Sequence, residues 1–377
     1  MLESFSKTSL IVEKALKGLD DPKLLDSLQS AKGEVLQALL MHVFENRVKN
    51  MTPKDILRQA KESRFVAPSP VSQRDLVEFD NIAFNILSKD TKDLELSPVG
   101  PLGTTSILSK ISQKNIVATS RNNEVVSDAS LLLAIEYEKR RKSNFVGEQH
   151  FFTSQRILRA QKFDIEGFTP HFKALFMLSA DKFLGRWEII SNFLERHIEY
   201  YLSLIRELIK FSKYEIQDIK VSISNLIILE KIIKYFKLDR NIIMRNTQTR
   251  NFNLFKGNNI DLPSNVDSIS DLKEIDLEKL DIKRACDFMF RNTKDIIDRL
   301  KLKFPEIHFD YDLSRVAGIG YYDHLCIKIA AKNSKGELYP LCDGGFTDWT
   351  RQLLHSEKEI CFTSGFGSEL FINKFKK

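Results

Sequence analysis

The chain has 377 residues, of which 42% are hydrophobic and 29% are charged. This balance is typical of a folded globular protein and excludes an intrinsically disordered chain. The formal charge of +6, from 57 basic and 51 acidic residues, is spread along the chain and does not by itself indicate a nucleic-acid-binding protein.

No apolar run approaches the roughly 18 residues of a membrane-spanning helix. The first residues also lack the basic start, apolar core and cleavage site of a secretory signal. We therefore expect a cytoplasmic protein without membrane contact. The four cysteines form no CxxC pair and have no matching histidine spacing, so we expect neither a metal site nor a disulfide framework.

In chain order, the first 50 residues have apolar residues at helical spacing and predict helices. Two prolines in 64–73 end this region, and strands are predicted at 80–89, 93–108 and 115–128. A helix follows from 129, with Asp128 or Ser130 as its cap.

Strands are then predicted at 152–163 and 171–183, a long helix at 186–213 and another helix at 226–238. Residues 239–275 are rich in Asn, Asp and Ser and predict loops, before helices resume up to 304. The last 70 residues predict four strands and one helix at 346–356.

Strands thus cluster in two regions, with helices before and between them. This segregation favours an α+β fold, an antiparallel sheet flanked by helices, over alternating βαβ units. We predict N-terminal helices and the first part of the core at 1–238, a loop-rich and then helical insertion at 239–300, and the second part of the core at 301–377.

Several segments carry a family resemblance through their common order. LELSPVGPLGTTSIL is similar to a family stretch LxLRPEGT, NIVATSRNNE and SQRILRAQKF resemble the two strands of motif 2, IHFDYDLSRVAGIGYY resembles DxxLVRGLDYY, and DGGFTDWTRQLLHSEKEICFTSGFGSEL resembles motif 3. The family is the class II catalytic core of histidyl-tRNA synthetases and of their paralogue, the regulatory subunit of ATP phosphoribosyltransferase. The resemblance implies that family's antiparallel sheet.

The resemblance also implies a set of ligand-binding residues. They are Thr104, Arg121, Glu124, Arg159, Gln161, Arg315, Tyr321, Tyr322, Gly345, Asp348, Gly367 and Glu369. Arg121 would hold the α-phosphate of ATP, because a guanidinium binds phosphate through two parallel hydrogen bonds. For Arg121 and Glu124 a surface turn pair is the alternative interpretation.

Other matched positions depart from the family. Leu370 and Phe346 stand where motif 3 has arginine, Ala317 and Gly320 replace an arginine and an aspartate, and Leu102 replaces a glutamate. Losing one electrostatic group of this kind raises the reaction barrier by roughly 3 kcal/mol. Arg315, two residues from Ala317, is a candidate replacement cation. Catalytic residues are left unassigned.

The resemblance implies three functions to be weighed. The first is a paralogue that does not charge tRNA and binds an amino acid or nucleotide as a regulatory or accessory subunit, since the chain ends just after motif 3 and an anticodon-binding domain is not expected. The second is an ATP-dependent adenylating ligase with a changed substrate, using ATP with magnesium. The third is a protein-interaction role with a vestigial pocket. We also expect a homodimer formed through residues 30–70 and consider a partner enzyme.

Two further patterns had alternative interpretations. Tyr321 and Tyr322 would point to opposite faces of a strand, so one would be core and the other would reach the site. The basic run Lys139, Arg140, Arg141 and Lys142 could bind phosphate, but a solvated helix end is the favoured interpretation.

Overall fold

The computed structural model describes residues 2–19, 21, 23–143, 147–161, 169–211, 213–246 and 252–377. By its contacts the chain divides into two compact units. The smaller comprises Met1–Ala67 and Ala118–Glu124, and the larger comprises Pro68–Val117 and Val125–Lys377. The segment predicted as an insertion, 239–300, falls within the larger unit; its status as an insertion stays a prediction.

The smaller unit is helical, as its sequence predicts. Its helices are α1 (Leu2–Leu19), α2 (Leu24–Ser30), α3 (Gly33–Lys49) and α4 (Pro53–Glu62). The start of α4 is fixed by a capping box, in which the Asp55 amide donates to Thr52 Oγ1 and the Thr52 amide donates to Asp55 Oδ2. Within the described residues, α2, α3 and α4 contain no buried side chain.

The other helices are α5 (Gln73–Asn85), α6 (Thr104–Leu108), α7 (Ala129–Lys142), α8 (Glu188–Lys210), α9 (Leu226–Tyr235), α10 (Arg240–Asn246), α11 (Leu254–Gly257), α12 (Lys283–Lys303), α13 (Trp349–Leu354) and α14 (Ser368–Phe375). The strands are β1 (Thr91–Asp93), β2 (Val99–Pro101), β3 (Asn123–Val125), β4 (Gln149–Leu158), β5 (His171–Lys182), β6 (Gln217–Asn225), β7 (Asn265–Val266), β8 (His308–Asp312), β9 (Leu325–Lys332), β10 (Leu338–Thr347) and β11 (Glu359–Phe366). None of the described helices is long and apolar enough to cross a membrane.

Nine strands form one sheet in the order β1-β4-β5-β11-β10-β9-β6-β8-β7. The six central strands, β4-β5-β11-β10-β9-β6, are antiparallel to one another, which confirms the predicted fold class. Two parallel pairs, β1 with β4 and β6 with β8, lie toward the edges and make the whole sheet mixed. The sheet brings the regions 149–182 and 325–366 together in its centre.

Helices cover both faces of the sheet. On one face a large core includes Phe193 and Ile205 of α8 and Met289 of α12. On the other face a smaller core includes Leu133 of α7 and Trp349 at the start of α13. The larger unit therefore has the layered arrangement expected of an α+β domain.

The predicted strand at 80–89 is wrong, because most of this segment belongs to α5. Phe79, Ile82 and Ala83 are buried at helical spacing, and Ser72 caps the helix by accepting a hydrogen bond from the Asp75 amide. The apolar run had suggested a strand, but its burial follows the helical period.

A chain of polar side chains crosses the larger core between the sheet and α8. His150 Nδ1 lies 2.8 Å from Ser179 Oγ, which lies 2.9 Å from His197 Nε2. His197 Nδ1 lies 2.6 Å from Ser364 Oγ, and the Tyr201 hydroxyl lies 3.1 Å from the same Oγ. Burial lowers the pKa of His197 well below its ordinary value. The network therefore holds neutral imidazoles in the interior.

Candidate functional site

Tyr321 and Tyr322 lie in the loop between β8 and β9, so the predicted strand at this point is wrong. Gly318 and Gly320 have φ of 93° and 77°, which side chains rarely tolerate. Both tyrosine amides donate to the carbonyl of Gly318 at 2.9 Å. The two rings meet edge to face with centroids 4.8 Å apart, so the tyrosines form one contact pair instead of pointing to opposite faces of a strand.

Each tyrosine hydroxyl donates to a different carboxylate. Tyr322 donates to Asp343 Oδ1 of β10 at 2.7 Å, and Tyr321 donates to Asp128 Oδ2 at the start of α7. Burial, followed by the adjacent carboxylate, raises the pKa of each tyrosine well above its ordinary value. Both phenols are therefore neutral hydrogen-bond donors near neutral pH.

Arg315 binds the carboxylate of Asp343, which also accepts from Tyr322. Its Nη2 donates to both oxygens of Asp343, at 2.8 and 2.9 Å, and its Nε donates to the Ala317 carbonyl at 2.9 Å. The Arg315 side chain is 3% exposed, whereas the Asp343 side chain is 48% exposed. Burial favours the neutral guanidine, but the charge of Asp343 outweighs this effect and raises the pKa of Arg315. Arg315 is thus a charged partner of Asp343, and its Nη1 is buried without a hydrogen-bond partner among the described residues.

Gly345 provides the close approach that the Tyr322 ring requires. A Cβ at this position would lie 2.6 Å from the ring and 2.8 Å from the Cβ of Cys326. Gly345 is also two residues from Asp343 on β10, which places both on the same face of the sheet. The Tyr322 ring therefore packs directly on the backbone of β10 at Gly345.

Arg159 lies at the other end of this cluster. Its Nε donates to the Ser127 carbonyl at 3.2 Å, and its guanidinium centre lies 5.5 Å from the centre of the Phe172 ring. Arg159 and Asp343 both act electrostatically on Tyr321. In the described part of the chain, no carboxylate pairs with Arg159. We call Asp128, Arg159, Tyr321, Tyr322, Asp343 and Arg315 the tyrosine–carboxylate cluster.

A separate cleft of about 70 Å³ includes Phe172, the ring beside Arg159. It is lined by Pro70, Thr169, Phe172, Gly367, Glu369, Leu370 and Asn373. Glu369 Oε1 accepts from the Ser69 hydroxyl at 2.5 Å, and Oε2 accepts from the Lys173 amide at 3.0 Å and pairs with Arg156 at 2.8 Å. Glu369 is therefore a satisfied structural carboxylate, and the cleft offers mainly the apolar surfaces of Phe172 and Leu370.

The other predicted residues are placed as follows. Thr104 Oγ1 donates to the Pro101 carbonyl at 2.7 Å, a turn contact at the start of α6, and Gln161 is half-buried. Asp348 accepts from Gln352 Nε2 at 2.7 Å and lies 3.6 Å from Lys110 Nζ, so it fixes the start of α13. These contacts give Thr104 and Asp348 local structural roles.

Arg121 and Glu124 belong to the smaller unit. Arg121 is exposed and its amide donates to Thr119 Oγ1 at 3.1 Å, whereas Glu124 is buried. The difference in burial does not match a surface turn pair, because one member lies inside. Their assignment to a phosphate site stays a prediction.

Solved structures resemble this architecture. An ATP phosphoribosyltransferase regulatory subunit/histidyl-tRNA synthetase from Bacillus halodurans aligns over 82% of this chain and 83% of its own, with 12% identity and a TM-score of 0.56. A histidine–tRNA ligase subunit from Alicyclobacillus acidocaldarius aligns over 81% and 94%, with 10% identity and a TM-score of 0.57. Histidyl-tRNA synthetase from Nostoc sp. PCC 7120 aligns over 82% of this chain and 73% of its own, with 15% identity and a TM-score of 0.56.

The chain has the class II histidyl-tRNA synthetase-like fold. The resemblance seen in the order of the sequence segments is therefore confirmed at the level of the core fold. No protein-family model and no curated protein sequence matches the chain.

Within this synthetase-like fold, the structure joins Arg159, Arg315, Tyr321, Tyr322 and Gly345 of the predicted site. Sequence reasoning did not assign Asp343 to it, and it assigned Asp128 only a capping role. Asp128 does cap α7, since its Oδ1 accepts from the Ser130 amide at 2.9 Å, but its second oxygen serves Tyr321. The period of two along β10 was the available signal for Asp343, because it relates Asp343 to Gly345.

Proposed function

We propose that this chain is a synthetase-like protein that does not charge tRNA and that binds a small ligand at the tyrosine–carboxylate cluster. In this proposal it acts as a regulatory or accessory subunit. The observation that carries the proposal is the engagement of the buried Arg315 by both oxygens of Asp343. The predicted replacement cation is already neutralised by its own protein.

Amino-acid activation concentrates negative charge on phosphate oxygens, which must be met by preorganised cations. Here Arg315 is committed to Asp343, and Leu370 presents an apolar side chain to the cleft. Arg159 remains as a cation without a carboxylate partner among the described residues. One such group in place of several favours binding without activation, because each missing group costs roughly 3 kcal/mol in the barrier.

The polar groups of the cluster suit an amino acid better than a nucleotide. Asp343 keeps about half of its side chain exposed and can accept hydrogen bonds from an ammonium group. Arg159 can bind a carboxylate through its two terminal nitrogens. A zwitterion offers both groups, whereas a nucleotide would bring phosphate toward two carboxylates, Asp128 and Asp343.

ATP with magnesium, which the ligase alternative needs, does not fit these residues well. Its base would meet a cleft of only about 70 Å³, and its phosphates would find Leu370 where a clamp is needed. The adenylating ligase therefore stays an alternative supported by Arg159, and we derive no reaction step from it.

Thermal unfolding with histidine, other amino acids and ATP, singly and together, tests the proposal. A ligand that binds only the folded state raises the midpoint temperature, and the Arg159→Gln variant should lose most of that shift. Lys335→Gln, in an exposed turn, is the matched control. Amino-acid-dependent pyrophosphate exchange would contradict the proposal, and ATP binding without amino acid would favour the ligase.

The regulatory role and the homodimer belong to the same proposal. One similar structure is described as an ATP phosphoribosyltransferase regulatory subunit, which supports a search for a partner enzyme. For the homodimer, α3 in the predicted interface exposes large apolar side chains, including Leu39, Val43 and Phe44. A helix with apolar residues around its circumference is normally enclosed by other protein.

A further inference from the structure

The last turn of α7 carries four basic residues with unequal surroundings. Three of them pair with carboxylates: Lys139 with Glu136 at 2.5 Å, Arg141 with Glu359 at 3.6 Å, and Lys142 with Glu138. Basic side chains in a last helical turn also compensate the negative end of the helix dipole. Each of these three residues therefore has a carboxylate as its ion-pair partner.

Unlike these three residues, Arg140 has no ion pair with a carboxylate among the described residues. Its guanidinium centre lies 5.5 Å from the centre of the Phe151 ring on β4. Its Nε is buried, and in the described part of the chain it has no hydrogen-bond acceptor. A buried N–H of a charged group without an acceptor is costly, because burial removes its water and returns nothing.

Gln149, the first residue of β4, has two buried polar atoms that lack hydrogen-bond partners among the described residues. The residue is 2% exposed, and within the described residues neither its amide oxygen nor its amide nitrogen has a hydrogen-bond partner. Such groups in folded proteins are normally satisfied by water, an ion or a ligand. Gln149 is thus an independent sign of a missing polar partner.

The two side chains lie over one strip of the sheet. Gln149 and Phe151 are two residues apart on β4, so they share a face and are separated by roughly 6.5 Å. Arg140 covers Phe151, which brings its guanidinium above the same face. Ala180 lies directly opposite Gln149 on β5 and has a small side chain. Residues 144–146 lie outside the described residues.

We propose that Arg140 and Gln149 form a binding site for a small oxyanion, and that the site selects phosphate. Arg140 Nε and Gln149 Nε2 each donate to an oxygen of the anion. Gln149 Oε1 needs a donor, which a phosphate group still carrying one proton supplies and which sulfate or acetate near neutral pH does not. The proposal is independent of the function proposed for the tyrosine–carboxylate cluster.

The test is the thermal unfolding of the full chain in inorganic phosphate, sulfate and acetate, with ionic strength held constant by sodium chloride. We expect phosphate to raise the midpoint temperature more than the other two anions. Isothermal titration should then show a dissociation constant at least about tenfold higher in Arg140→Gln and in Gln149→Leu. Lys142→Gln, in the same helical turn, should bind phosphate as the wild type does.

Gln149→Leu replaces the amide by an apolar side chain of similar size. This variant should therefore fold even if Arg140→Gln does not. Equal effects of the three anions would overturn the selection of phosphate. A phosphate effect that survives Gln149→Leu, or no phosphate binding by the wild type, would overturn the site and leave a buried water as the partner of Gln149.

Discussion

Arg315 holds both carboxylate oxygens of Asp343, at 2.8 and 2.9 Å from a single guanidinium nitrogen. This pair joins the loop after β8 to the central strand β10, one position from the glycines of the motif 3-like segment. The same carboxylate accepts from Tyr322. Arg315, which the sequence predicts as a replacement cation for a substrate, therefore positions Asp343 and Tyr322 within the cluster.

Removing the Asp343 charge should leave Arg315 as a buried, uncompensated cation. We expect Asp343→Asn to lower the free energy of unfolding by about 2 kcal/mol, less than for a fully buried pair because Asp343 is half exposed. Urea unfolding measures this loss, and a double-mutant cycle with Arg315→Leu measures the coupling. Asp218→Asn, which breaks an exposed pair with Lys332, should cost less than about 1 kcal/mol. A loss no larger than this control would contradict the assigned role.

The close contact between Gly345 and the Tyr322 ring predicts that alanine substitution lowers stability more at Gly345 than at Gly365. Gly345→Ala should cost about 1–3 kcal/mol, because the added methyl group overlaps the ring and Cys326. Gly365→Ala, on the neighbouring strand, meets the Phe176 ring at an ordinary 3.5 Å and should be tolerated. Unfolding in urea compares the two variants. Equal stability would show that Tyr322 is not held where we describe it.

The buried histidines predict a loss of stability in mild acid. Burial, then the charge of Arg196, lowers the pKa of His150 from 6.5 to about 4. The unfolded chain therefore takes up this proton first as the pH falls. The stabilisation is complete above about pH 6.5 and decreases toward pH 4, by about 3 kcal/mol for this residue.

Urea unfolding at several pH values measures that slope. His150→Asn should flatten it, whereas replacing the exposed His308 by Gln should not. The Asp90 carboxyl, whose pKa is lowered by its hydrogen bond with Arg196, loses stabilisation below pH 3.8 and so acts outside this window. An unchanged slope in His150→Asn would mean that His150 is not buried in its neutral form.

The exposed apolar residues of α3 predict that a charge introduced among them weakens dimerisation. If residues 30–70 form the dimer interface, Phe44→Glu should weaken dimerisation at least about tenfold, because it buries a charge among apolar side chains. Analytical ultracentrifugation measures the dissociation constant. Gln37→Glu adds the same charge to the same helix while keeping its apolar residues and should have a smaller effect. A wild-type monomer at all concentrations would contradict the interface.

The fold could be predicted largely from the sequence, because long segments such as the periodic helix α8 and the apolar strand β5 carry their own signal. The helix α5 was missed because its short apolar run fits either period until its buried face is known. The site was harder to predict. Tyr321 and Tyr322 depend on two left-handed glycines that break the strand pattern, and Asp343 gains its role from Arg315, 28 positions earlier. Such partnerships depend on distances that spacing along the chain does not contain.

The two phenols connect separate parts of the larger unit, since Tyr321 ends on α7 and Tyr322 ends on β10. A ligand ammonium that takes an oxygen of Asp343 competes directly with the Tyr322 hydroxyl for it. Because the rings of Tyr321 and Tyr322 are in contact, displacing one phenol would disturb the other and its hydrogen bond to Asp128 at the start of α7. If the cluster binds a small ligand as proposed, its occupancy would therefore move the start of α7.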